Sequence, residues 1–164
     1  MSCVVLNSSV IIALSWLSYL PLLNRIFDDI LVPQAVYDEI CVKGQGLIGD
    51  RELRKSVKNG FLRVRNVKNR ILVTAMLDPL ALGEAEALAL AVEAKVEYVV
   101  VDDKLARARA KTMGLPVIGT LRILRRFFDA GLLNKSDFVK ALEDLRTNGF
   151  RISNEIIEKV EAEI

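Results

Sequence analysis

The hydrophobic pattern is densest between Gly83 and Ala94, where Ala, Leu and Val leave no broad polar stripe to face water. A helix that is apolar nearly all round is buried on more than one side. The next run, Glu97-Tyr98-Val99-Val100-Val101, is rich in β-branched residues, does not alternate, and ends in Asp102-Asp103. Such a run reads as a strand covered on both faces, as in a parallel sheet. Ser2–Leu6, Ile30–Val32, Phe61–Val64 and Leu115–Ile118 complete a set of five predicted strands.

Between the strands, apolar positions return at helical spacing. Asn7, Ser8 or Ser9 can cap a helix reaching about Tyr19, and Pro21 opens a short one to about Phe27. Pro33 suits the first turn of a helix to about Val42, where its missing N–H is not needed. Gly44, Gly46 and Gly49 make a loop, a polar helix runs to about Lys58, and Ile71–Met76 fits helix or strand equally. Past Asp103, helices are expected over Lys104–Met113 and Leu121–Ala130, stopped by Gly114 and Gly131. Two more run from Ser136 to about Asn148 and from Ser153 to the end, the last with Ile156, Ile157, Val160 and Ile164 on one side. Strands alternating with helices predict an α/β fold around a parallel sheet. No repeat or linker breaks the chain, so it reads as one domain over 1–133 extended by the helices of 134–164.

Composition narrows the picture. The 164 residues are 52% hydrophobic and 27% charged, enough for one full core. The apolar start from Met1 to Leu23 has no Lys or Arg ahead of it and no small-residue cleavage pattern, and Asn7-Ser8-Ser9 interrupts it. A strand and a capped helix explain it better than a membrane anchor, and a cytoplasmic protein is expected. Cys3 and Cys41 fit no metal-ligand spacing and read as core thiols.

The net charge is only +2, but its distribution is uneven. Residues 50–70 hold eight Lys or Arg, and residues 104–126 hold seven with no acid among them, together fifteen of the 23. That segregation suits a phosphate backbone, although solvated helix faces give the same pattern.

There is no histidine. Ser-His-Asp and Cys-His catalysis, HExxH zinc sites and an imidazole base are therefore excluded, which leaves carboxylates. Asn7 follows the first strand, Glu39 lies on the third helix, Glu84 opens the buried helix, and Asp102 and Asp103 follow the fourth strand. Residues three, four and seven apart share a helix face. Glu84 thus shares a face with Leu88 and Ala91 at the rim of the buried side, whereas Glu86 falls with Leu90 and Glu93 and is expected in solvent. Each acid has an ordinary role open to it, at a helix N-terminus, as a cap or in a surface pair. Their recurrence at strand ends and on adjoining helices favours a shared divalent cation, because open parallel sheets place their chemistry there.

Four segments carry a resemblance. Val4-Val5-Leu6-Asn7-Ser8-Ser9-Val10-Ile11, Pro33-Gln34-Ala35-Val36-Tyr37-Asp38-Glu39-Ile40, Leu82-Gly83-Glu84-Ala85-Glu86-Ala87 and Val101-Asp102-Asp103-Lys104-Leu105-Ala106-Arg107 resemble the PIN-domain family. More narrowly, they resemble a VapC-like branch of toxin nucleases with a Gly-Glu-Ala-Glu-Ala motif. The likeness continues through Gly119-Thr120-Leu121 and Gly149-Phe150-Arg151-Ile152-Ser153. It implies a three-layer α/β/α sandwich with sheet order 3-2-1-4-5. It also implies Mg2+- or Mn2+-dependent RNA cleavage, often by the toxin of a toxin–antitoxin pair that forms homodimers and is held by a small antitoxin protein. The family's acidic quartet falls on Asn7, Glu39, Glu84 and Asp102, with Asp103 open as the last member, and its hydroxyls fall on Ser8 and Ser9. Arg107, Lys111, Arg122 and Arg125, on helices after the fourth and fifth strands, are the candidates to hold the RNA backbone.

One position departs from the pattern: the family's first acid is aspartate and here it is Asn7. An amide oxygen can coordinate Mg2+, but a full negative charge is lost. A nuclease with weakened metal binding, a module that binds RNA or protein without cutting, and a variant silenced at this position all stay open. A nucleotide-binding receiver-like domain finds no support, since no Gly-rich phosphate loop follows a strand.

Overall fold

The computed structural model describes residues 2–163, so Met1 and Ile164 lie outside it, the latter with its expected place on the last helix's apolar side. Five strands form one sheet: β1 (Cys3–Leu6), β2 (Asp29–Pro33), β3 (Arg63–Arg65), β4 (Tyr98–Val100) and β5 (Val117–Ile118). All neighbours are parallel and the order is β3-β2-β1-β4-β5, as the resemblance implies. β1 sits at the centre with Val4, Val5 and Leu6 fully buried, which explains why its sequence does not alternate. Leu6 lies opposite Val100, and the Asn7 N–H donates to the Val100 carbonyl at 3.1 Å. The chain therefore leaves β1 and β4 side by side, at the break in strand order where a crevice opens.

The helices are α1 (Ser8–Trp16), α2 (Gln34–Asp38), α3 (Asp50–Lys58), α4 (Arg70–Ala75), α5 (Leu82–Ala94), α6 (Lys104–Thr112), α7 (Thr120–Asp129), α8 (Lys135–Thr147) and α9 (Asn154–Glu163). The apolar α5 packs on β1, β2 and β4 and also against α2, α4 and α6, so nearly every face meets protein. Val5, Leu31, Leu88, Val99 and Val101 belong to the core it closes.

Several elements end where local chemistry requires. Ser18 adopts a left-handed φ of 62°, stopping α1 at Trp16 rather than near Tyr19. Pro33 is not in a first helical turn. It is the last residue of β2 and the extended residue preceding α2, with ψ of 150°. The helix expected to reach Val42 divides at Glu39 into α2 and a π turn, Glu39–Lys43. Gly44 follows, where a side chain would meet the Ile40 carbonyl at 2.7 Å. The ambiguous Ile71–Met76 is helical, because the Asn69 side chain accepts from the Leu72 N–H at 3.1 Å and caps α4.

Two compact units are distinguished, dividing after Thr120. The first carries the sheet. In the second, Asn134 caps α8 by accepting from the Asp137 N–H at 2.7 Å, and the Phe128 and Phe138 rings meet edge to face at 5.8 Å. Phe138, Leu142 and Leu145 are buried along α8, which contacts α9. Among the described residues, no helix is long and apolar enough to cross a membrane.

Of the two thiols only Cys41 is a core residue. Cys3 is partly exposed. Burial, reinforced by the Cys41 Sγ contact to the Asp50 carbonyl at 3.7 Å, pushes the Cys41 thiol up to about 11. It is the thiolate that alkylates. Iodoacetamide at pH 8 should leave Cys41 unmodified in the native protein and label it fully after unfolding in guanidinium, as read by peptide mass spectrometry. Labelling of Cys41 at equal rates in both states contradicts the packing.

Candidate functional site

The C-terminal ends of β1 and β4 and the starts of α1 and α5 gather the polar residues singled out above. Asn7 stands before α1 with an extended backbone, yet its side chain makes no capping bond. The next two residues turn in different directions. Ser8 Oγ donates to Glu39 Oε2 at 2.6 Å, and Ser9 Oγ donates to Asp102 Oδ2 at 2.7 Å. One helical turn thereby orients carboxylates from two distant parts of the chain.

Asp102 is the more tightly held of the two. Its Oδ1 accepts from the Thr120 N–H at 2.8 Å, and Oδ2 accepts from Thr120 Oγ1 at 2.7 Å besides Ser9. Asp103 accepts from the Ala106 N–H at 3.0 Å as the cap of α6. The adjacent acids thus have different partners: Asp102 is held by Ser9 and Thr120, and Asp103 caps a helix.

Glu84 lies in the first turn of α5, where its Oε1 accepts from the Ala81 N–H at 3.1 Å. Burial raises its carboxyl above the usual glutamate range, and the negative charges of Asp103 and Glu39 add to the effect. Beside it, Gly83 is needed for space. A side chain there would begin 3.0 Å from Glu39 Oε2 and 3.4 Å from Val36 Cγ2, tight enough that the carboxylate would have to give way. Asn7 Oδ1 would be in ordinary contact at 3.8 Å. The glycine of the Gly-Glu-Ala-Glu-Ala motif therefore lets α5 approach the polar cluster.

Among the described residues, no three Asp, Glu, His or Cys side chains are grouped closely enough to enclose a metal ion. The donor set nonetheless suits a hard cation that keeps its waters. Mg2+ is usually held through one or two carboxylates with water and substrate phosphate completing its shell. Asn7 Oδ1, Glu39, Glu84 and Asp102 are all oxygen donors, and the amide of Asn7 is free of the capping role its position would give it.

Glu86 corrects the helical-wheel expectation. It is buried, with Oε1 accepting from the Ala35 N–H and Oε2 paired to Arg70 Nη1, both at 2.9 Å. The wheel allowed for one covered face, but α5 is covered by α2 and α4 as well as by the sheet. Glu86→Ala leaves the Ala35 N–H without its acceptor and should cost on the order of 2 kcal/mol. Glu86→Gln, which can keep that bond, should cost less. Guanidinium denaturation checks the pair, and equal stability of Ala and native proteins contradicts the assignment.

Of the basic candidates, Arg107 Nη1 donates to the Val101 carbonyl at 3.1 Å, while Lys111 is exposed on α6. Arg122 and Arg125 belong to the second unit. Arg122 is exposed, and Arg125 pairs with Asp129 at 3.0 Å and lies over the Phe128 ring at 5.9 Å. Sequence reasoning gave Thr120 no role. Its signals were its place in the Gly119-Thr120-Leu121 stretch of the likeness and just past the fifth strand, where it opens α7.

A family model described as a PIN domain matches residues 3–164. No curated protein matches the chain.

Proposed function

Because the chain belongs to the PIN-domain family, we propose that it is a Mg2+- or Mn2+-dependent endoribonuclease acting on single-stranded or looped RNA. The observation that carries this reading is Asp102, held at the sheet's C-terminal edge by Ser9 and Thr120 beside the uncapped Asn7. One or two of Glu39, Glu84 and Asp102 would hold the cation, with Asn7 as a weaker ligand and water completing the shell. A bound divalent cation supplies positive charge that activates water and stabilises phosphate oxygens in an in-line displacement. Ser8 and Ser9 keep Glu39 and Asp102 oriented. Arg107, Lys111, Arg122 and Arg125 are proposed to neutralise RNA phosphates. We further propose a toxin role, with a small antitoxin protein and a second copy of this chain as partners.

Asn7 favours a second reading, a module that binds RNA or a protein partner without turnover. Fluorogenic single-stranded RNA incubated with Mn2+, Mg2+ or EDTA decides between the two. Cation-dependent product supports the nuclease. Salt-sensitive RNA binding unaffected by EDTA, with no product and no calorimetric Mn2+ binding, supports the binding module.

A further inference from the structure

Arg107 lies on α6, one turn beyond Asp103, where an arginine is free to extend into water. Instead, its guanidinium folds back over the end of β4 and donates Nη1 to the Val101 carbonyl at 3.1 Å. Gly119 leaves the room for this. A side chain at 119 would begin 2.8 Å from Arg107 Nη1 and 2.9 Å from Asp102 Oδ1, so the cation and the carboxylate face each other across the missing side chain. Asp102 is already supplied with hydrogen bonds by Ser9 and Thr120. Arg107 is therefore not needed to satisfy it, and one N–H on Val101 leaves most of its five donors uncommitted.

We propose that Arg107 is the phosphate-receiving cation of the carboxylate site itself. It is positioned there by the Val101 carbonyl through the gap at Gly119 and is not a peripheral clamp on the RNA backbone. The proposal rests on the ribonuclease reading for the identity of the phosphate, a phosphodiester of single-stranded RNA. Arginine suits the task because its planar fork meets two phosphate oxygens at once. Its charge adds to the deficit that Asn7 leaves, since a missing negative charge and a resident positive one both oppose a metal ion at Asp102.

Two measurements made without turnover test this. The first is anisotropy of a short fluorescein-labelled single-stranded RNA in EDTA, and the second is calorimetric titration with Mn2+ alone. Arg107→Ala should weaken RNA binding about tenfold and tighten Mn2+ binding about threefold or more. Gly119→Ala, which keeps the arginine but crowds its guanidinium together with Asp102 Oδ1, should reproduce the RNA loss. Lys111→Ala is the surface comparator: it should lower the salt slope by about 0.7, as loss of one single-strand phosphate contact does, and leave Mn2+ binding unchanged. Thermal melts of all three variants verify folding. If Arg107→Ala weakens RNA no more than Lys111→Ala and leaves the Mn2+ isotherm unchanged, the proposal is overturned. If no protein cleaves RNA but Arg107→Ala and Gly119→Ala still lose it, the nuclease reading falls while the role of Arg107 stands.

Discussion

Asn7→Asp should raise cation-dependent RNA cleavage by about tenfold or more and tighten Mn2+ binding by a similar factor. A carboxylate adds a full negative charge where Asn7 Oδ1 now lies near Glu39 across Gly83. Two unit charges 4 Å apart interact by about 4 kcal/mol at an effective dielectric near 20. Solvent screening and the repulsion among Glu39, Glu84 and Asp103 reduce that to roughly the 1.4 kcal/mol of a tenfold change. The substitution also places an acid before the first turn of α1, which the helix dipole favours. Its cost should therefore appear as extra acid–acid repulsion in EDTA, lifted by Mn2+. Initial rates on a fluorogenic RNA, with calorimetry and melts in both conditions, test each part. Native and Asn7→Asp proteins equally inert and equally indifferent to Mn2+ would remove the metal nuclease from consideration.

The second large effect is expected at Asp102. Alanine there removes the acceptor for the Ser9 hydroxyl and for both the N–H and hydroxyl of Thr120. With Asp102 only half-buried, the cost should be on the order of 2 kcal/mol, a fall of about 4–8 °C in Tm for a chain of this size. Cleavage should fall below detection. Asp102→Asn keeps an oxygen that can accept from the Thr120 N–H, so it should stay close to native stability while losing cleavage. That contrast separates scaffold from chemistry. A stable, fully active Asp102→Ala refutes both roles.

The sheet and its covering helix could be read directly because β1, β4 and α5 are buried on more than one side, and such burial leaves non-alternating apolar runs. Pro33 was harder to place, since proline fits the end of a strand and the start of a helix equally well. Its neighbours on β3 show that it belongs to the sheet, where it lies opposite Arg65. Glu86 could not be placed from the wheel, because the partners that bury it, Ala35 and Arg70, come from other helices. Asp102 and Asp103 are indistinguishable by spacing. What separates them is Thr120, eighteen residues on, which holds Asp102, while Asp103 takes the nearby Ala106 N–H. Such long-range choices carry no local pattern. The Gly-Glu-Ala-Glu-Ala motif is conspicuous, but only the approach of Glu39 to Gly83 explains its glycine.

Ser8 and Ser9 are consecutive residues on one rigid rod, and each grips a different acid. α1 is therefore a yoke across the crevice: tilting it re-aims Glu39 and Asp102 together. A packing defect beneath that rod, at the buried Ile11 or Leu14, reaches both acids at once. The two halves of the crevice cannot be tuned separately by changes to the body of α1.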